Sequence, residues 1–275
     1  MSKMNKTLKI ILGLSGTIIV LLVAIVLISY SVLKSKIPNY EGEIKVSGIT
    51  NTVNIYRDKN GIPFIVADND LDATFALGYV HAQERLFQMD ISRRAGQGRL
   101  SEVLGETTLQ FDKMFRTMGI YKLVEESFPK LNPRSQEILK AYADGVNSYI
   151  DEADGNFTFE FDVLSYEPEQ WKPEHSLVLA KLMAWELNIS WWTDIAFSDL
   201  VQKLGEEKVK EILPDFDENA PTIIPSHLKT ASEITKDLYN VDRQFREFMG
   251  FVGTHIGSNN WVVNSELSES GKPII

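Results

Sequence analysis

The first strong pattern in the chain is a long run without charge. Residues 10–33 are rich in Ile, Leu and Val, and Lys3, Lys6 and Lys9 precede them. A helix of about 20 apolar residues spans a bilayer core, so residues 1–36 predict a membrane anchor. A secretory signal has a shorter apolar core of about 7–15 residues and a small-residue cleavage site. Here Ser29-Tyr30-Ser31 is a weak match to such a site. A buried core helix is the third reading. Lysines also follow the run, at Lys34 and Lys36, and the bias toward the amino-terminal side favours that end in the cytoplasm. The rest would then lie outside.

After a polar linker over residues 37–43 the period shortens to two. Residues 53–57 alternate, Lys59-Asn60-Gly61 makes a turn, and residues 63–67 form a second strand-like run, which predicts a hairpin. From Asp70 the period becomes helical. Phe75, Tyr79, Ala82, Leu86 and Met89 define one apolar face, and Gly96 and Gly98 end it. A short helix over 99–104 closes at Gly105, and residues 111–131 predict one further helix. Asn132-Pro133 is an N-cap followed by proline at the first helical position. The helix it opens shows Ile138, Tyr142, Val146 and Tyr149 on one face. Residues 155–173 read as an aromatic-rich loop. Pro173 opens a helix to about residue 188, Trp191 and Trp192 interrupt it, and residues 194–204 continue it. A short helix over 206–213 ends at Pro214. Residues 215–226 are acidic and proline-containing, and residues 229–249 are charged and loosely helical, so 215–257 reads as a solvated linker.

Composition narrows the function classes. Of the 275 residues 44% are apolar, the proportion of a globular protein. The net charge of -10 makes the chain a poor nucleic-acid binder, because phosphate neutralisation needs a basic face. Zero cysteines exclude a disulfide framework, a thiolate metal site and a cysteine nucleophile.

Candidate chemistry is sparse. His81 and Glu84 have H-x-x-E spacing but no second histidine in range, which favours a structural histidine. His175, His227 and His255 are scattered and make no visible metal cluster. Asp90, Arg93 and Arg94 fit ion pairing at a helix end, with a substrate role as the lesser reading. Trp185, Trp191 and Trp192 beside Met183 fit either a core or an acyl pocket. Ser258 follows Gly257, and a serine hydroxyl is a weak nucleophile without a base. At a newly made amino terminus its own α-amine, with an ordinary pKa near 7.7–8.0, supplies one. Taken alone, this Gly-Ser step reads as a turn entering a strand.

Three stretches change that reading. They are Gly61-Ile62-Pro63-Phe64-Ile65-Val66-Ala67, the run from Ala76-Leu77-Gly78-Tyr79 through His81, Asp90 and Arg93-Arg94 to Gly105, and Gly257-Ser258-Asn259-Asn260-Trp261-Val262-Val263. In this order they resemble the penicillin acylase family of N-terminal-nucleophile hydrolases. The resemblance implies an α+β chain, mostly helical here, within a four-layer αββα architecture. It implies a precursor that cuts itself before Ser258. The light chain would occupy 37–214, a spacer 215–257, and the heavy chain would begin at 258–275. It implies amide hydrolysis by Ser258 through an acyl-enzyme, on an N-acyl amide of β-lactam or acyl-homoserine lactone type. Met183, Glu186 and Leu187 would line the acyl pocket, although an acidic Glu186 fits a negatively charged acyl group poorly. Calcium would be bound with Asp194 as one ligand. The family's oxyanion donors and most of its sheets would lie in a heavy chain encoded downstream or separately. Without them the chain would be a membrane-anchored, non-catalytic remnant or a partner-binding fragment.

Overall fold

The uncharged run forms helix α1 (Lys6–Ser35). Within it Leu14–Ser35 is long and apolar enough to cross a membrane, and none of that window is buried against the rest of the protein. The core-helix reading is therefore set aside. This computed structural model describes residues 6–188, 190–211, 233–250 and 262–273, without the side chains of 6–13, 206, 210 and 233–236. It divides into two compact units, Met1–Glu186 and Leu187–Ile275.

In the first unit the expected hairpin forms. Strands β1 (Asn54–Arg57) and β2 (Pro63–Val66) pair antiparallel, with Asn54 opposite Val66 and Tyr56 opposite Phe64. Asp58 folds the turn by accepting the amides of Asn60 and Ile62 at 2.8 Å each. The inner face carries Ile65 onto the core and Arg57 toward the next helix.

That helix is α2 (Asp70–Gln97). Asn69 caps it by accepting the amide of Asp72 at 2.9 Å. Gly98 closes it in the left-handed region at φ 66°, where a Cβ would press on Arg116 and on the Asp112 carbonyl. One apolar face was expected; the structure instead buries Asp72, Gln83, Asp90 and Arg93 as well, so most of the girth is covered. The helix bends at Arg85, whose φ of -142° and ψ of 19° are not helical.

Helix α3 (Ser101–Leu104) follows, its first amides bound by Asp112 at 2.7 and 2.9 Å. The single helix expected over 111–131 is in fact two, α4 (Leu109–Met118) and α5 (Ile120–Ser127), because Gly119 turns left-handed at φ 72°. Helix α6 (Pro133–Ala153) begins as expected, with Asn132 accepting the amide of Ser135 at 2.9 Å. It lies against α2 at backbone contact. A Cβ on Gly78 would collide with the Tyr142 carbonyl, and one on Gly145 with the Phe75 carbonyl. Tyr79, Leu86 and Met89 meet Val146, Tyr149 and Ile150 there, closed over by Phe157, Phe161 and Trp171. The aromatic stretch is thus core, and it holds a short helix, α7 (Phe159–Leu164), that the loop reading lacked. Helix α8 (Pro173–Leu187) completes the unit.

The described part of the second unit contains α9 (Ser190–Leu204), α10 (Glu206–Lys210) and α11 (Glu233–Phe248). Trp191 and Trp192 lie inside α9 rather than interrupting it, because aromatic side chains are compatible with a helix whenever a neighbour covers them. Within the 215–257 stretch, of which 233–250 are described, the loosely helical segment forms α11, and it is not fully solvated, since it buries Asp242, Phe245 and Arg246. Among the described residues the chain is α+β and mostly helical, with two short paired strands.

Candidate functional site

The processing pair Gly257 and Ser258 lies outside the described residues, as do His227 and His255. Downstream of it, the described chain resumes with an exposed Val262 and a turn over 265–267.

Upstream, the densest chemistry is an ion cluster at the end of α2. Arg93 is fully buried and its guanidinium grips the Asp90 carboxylate. Arg94 donates to the other Asp90 oxygen at 2.8 Å and to Glu102 at 2.9 Å. Arg99 forks across Glu169 at 2.6 and 3.0 Å and across Glu102 at 2.7 and 2.8 Å. Tyr166 adds a hydroxyl donor to Asp90 at 3.0 Å. Three guanidiniums thus face three carboxylates, so the cluster is neutral and needs no further ion. His175 sits behind it as a neutral ring, since its Nδ1 accepts the Lys172 amide at 3.0 Å and faces Arg93 at 3.5 Å. Burial, reinforced by Arg93, pushes the His175 imidazole down to about 3. The hydrogen bond from Arg99 draws the Glu169 carboxyl down to about 2. Such a closed cluster has no free nucleophile or base. It fixes the Gly96-Gln97-Gly98 end of α2 against the 166–175 segment, which is the ion-pair reading of Asp90, Arg93 and Arg94. Sequence reasoning missed Tyr166, Glu169 and Glu102. Only Glu102 carried a local signal, lying three residues from Arg99.

His81 and Glu84 point to different partners. His81 Nδ1 meets the Tyr142 hydroxyl at 2.8 Å, and Glu84 pairs with Arg57 at 2.8 Å. Asp72 is likewise structural. It accepts the amides of Thr50 and Asn51 at 2.9 Å each, pinning the linker to α2, and the Thr50 bond leads in holding its carboxyl at about 2.

Met183, Glu186 and Leu187 share one face at the end of α8. Met183 and Leu187 are exposed, at 61% and 71%, and Glu186 is half-buried. A cavity of about 480 Å³ lies elsewhere, between the 39–53 linker, β1 and α2, and includes none of them. Trp185 packs edge-on against Phe115 at 5.2 Å. Asp194 is exposed on α9. Calcium takes six to eight oxygens. Among the described residues no grouping of three or more His, Asp or Glu side chains could hold a metal. Asp194 therefore offers one donor and does not make a calcium site by itself.

Residues 52–275 match the sequence model of the family described as penicillin amidase, and the chain belongs to that family. It is 33% identical over 244 residues to an acyl-homoserine lactone acylase of Pseudomonas aeruginosa, covering 87% of this chain and 29% of the relative. It is 30% identical over 252 residues to the penicillin acylase 2 proenzyme of a Pseudomonas species, covering 88% of this chain and 32% of the relative. The chain thus spans about a third or less of these relatives' length. Among solved structures it resembles a thermostable penicillin G acylase from Alcaligenes faecalis, with a TM-score of 0.52 and 26% identity. That match covers 65% of this chain and 99% of the solved one.

Proposed function

We propose that this chain carries the light-chain, spacer and first heavy-chain residues of an amide hydrolase acting on N-acyl amides. Acyl-homoserine lactones and β-lactams with an acylated amine are the substrate classes to test first. The observation that carries the reading is the family match over residues 52–275, a range that includes Gly257-Ser258. The near-complete cover of a solved acylase chain supports a separable light chain. A heavy chain from residue 258 onward would complete a four-layer αββα fold and supply the oxyanion donors. Helix α1 would anchor the assembly, with the hydrolase on the far side of the membrane.

In the processing step, the Ser258 Oγ attacks the Gly257 carbonyl carbon. The new C–O bond replaces the Gly257–Ser258 C–N bond, and the departing nitrogen takes up the proton that Oγ loses, becoming the Ser258 α-amine. Water then hydrolyses the ester, leaving a Gly257 carboxylate and a free Ser258. In turnover the α-amine takes the Oγ proton, directly or through one water, as Oγ attacks the substrate carbonyl. It returns that proton to the leaving amine, and water clears the acyl-enzyme. Met183 and Leu187 would give the acyl chain an apolar wall.

The test is to express the gene in its natural context and sequence the amino termini of the products. A new terminus at Ser258, absent in Ser258→Ala together with amidase activity, is expected. An intact chain with full amidase activity would overturn the reading. Because the base is an α-amine, kcat/KM should rise with pH and level off above about 8.

A further inference from the structure

Helix α1 does not trail from the first unit on a loose tether. Its end closes tightly, with the Lys36 amide donating to the Leu33 carbonyl at 3.2 Å and the Ile37 amide to the Lys34 carbonyl at 3.3 Å. The Lys36 side chain then reaches α7 and pairs with Asp162 at 2.8 Å, with only 17% of that lysine side chain exposed. One residue past the membrane-length window Leu14–Ser35, the chain is thus already fastened to α7.

The face of α7 that receives Lys36 is otherwise apolar. At 3.6 residues per turn, Phe159, Asp162 and Val163 fall within an arc of about 100°. Phe161 lies on the other side, packed in the core against Phe87 and Phe157. Phe159 and Val163 are 45% and 73% exposed, and Ile37 beside the fastening is exposed as well. Lys36 neutralises Asp162, and Glu160, the other acid of α7, is half-buried, so lipid phosphates would meet little repulsion there. Lys34, exposed in the last turn of α1, offers them a cation.

A hydrocarbon core of about 30 Å within a bilayer of about 40–45 Å leaves a headgroup layer of roughly 5–7 Å on each side. The 22-residue window already fills the core. Whatever is fastened one residue beyond it therefore lies in the headgroup layer, where a surface helix buries apolar side chains. We propose that the Phe159/Val163 face of α7, fastened to the end of α1 by Lys36 and Asp162, is a lipid-contact surface that seats the first unit on the bilayer. The proposal rests on the reading of α1 as a retained anchor. Phe159, Val163 and Ile37 are too few to hold a protein to lipid by themselves, so the face acts only beside the span. Seated in this way, the first unit has a fixed side toward the membrane instead of swinging freely above it.

The experiment uses the full-length protein, expressed with its gene in the natural context and reconstituted into vesicles of phosphatidylcholine with a minority of phosphatidylglycerol. The 275 residues hold no cysteine, so Val163→Cys takes a fluorophore at one chosen position, and the unsubstituted protein corrects for label bound elsewhere. Lipid carrying a nitroxide on its headgroup is expected to quench that label. Phe159→Cys gives a second reading of the same face. Lys36→Glu sets two carboxylates against each other and should cut the quenching at 163 about twofold, while alkaline extraction still leaves the protein in the membrane. Val20→Cys, within the span, reports on the anchor through nitroxides placed on the acyl chains. Quenching at 20 with none at 163 or 159 would overturn the seating. A label at 163 shielded from iodide yet unquenched by lipid would overturn it too, because another protein then covers the face. Unchanged quenching in Lys36→Glu would overturn the part given to the ion pair. Absence of quenching at 20 would instead overturn the anchor reading on which the proposal rests.

Discussion

Arg93 shows what a single buried charge demands. It is fully buried between Asp90, Glu169, His175 and the Trp171 ring. Arg93→Met removes one partner and leaves Asp90 buried with fewer donors, which should cost about 3–5 kcal/mol in urea unfolding. Arg93→Lys should recover little of that, because an ammonium cannot fork across two partners. His175 and Glu169 set the acid behaviour. A neutral His175, held down to about 3 from its usual 6.5, means the unfolded chain takes up a proton that the folded chain refuses. Stability should therefore fall as pH drops from 6.5 toward 3. Glu169, held at about 2 from its usual 4.5, adds a further loss as pH falls from 4.5 toward 2. In His175→Asn, whose side-chain oxygen replaces Nδ1 as acceptor, the slope of stability against pH between 6.5 and 4.5 should flatten.

Among the elements, the α2–α6 pair decides the fold of the first unit. Gly78 and Gly145 let two backbones touch, and neither carbonyl opposite them can swing away as a side chain would. Gly145→Ala should destabilise by about 3 kcal/mol or prevent folding, as overpacking against backbone does. Gly119→Ala is the contrast. A Cβ added there would meet nothing within 4 Å, so only its left-handed φ of 72° is penalised, at about 1 kcal/mol. Thermal melts of the two variants should separate these effects. The hairpin, the Asn132 cap and the Gly98 stop were legible in advance because each is set by residues within a few positions, whereas the Asn69 cap came only with the structure. The break at Gly119 and helix α7 were not, since glycine and aromatic residues fit more than one local conformation until neighbours choose.

At the scale of the whole molecule, α1 stands apart from the packed body. Leu14–Ser35 is 22 residues, about 33 Å as a helix, enough for a hydrocarbon core of about 30 Å. The protein should stay with membranes through alkaline extraction, and removal of residues 1–35 should release it. Sequence by itself determined what depends on local order: the apolar length of α1, the hairpin, the Asn132 cap, the family match and, through it, Ser258 as the candidate nucleophile. The tertiary structure decided what depends on distant partners. Glu169 closes the ion cluster from some 75 positions beyond Asp90 and Arg94, a separation that carries no periodic signal. Helix α11 is rich in charge and reads as solvated, because an amphipathic face has meaning only once something covers it. Trp192 is that cover: it meets Asp242 and Tyr239 of the helix in the stretch expected to be solvated.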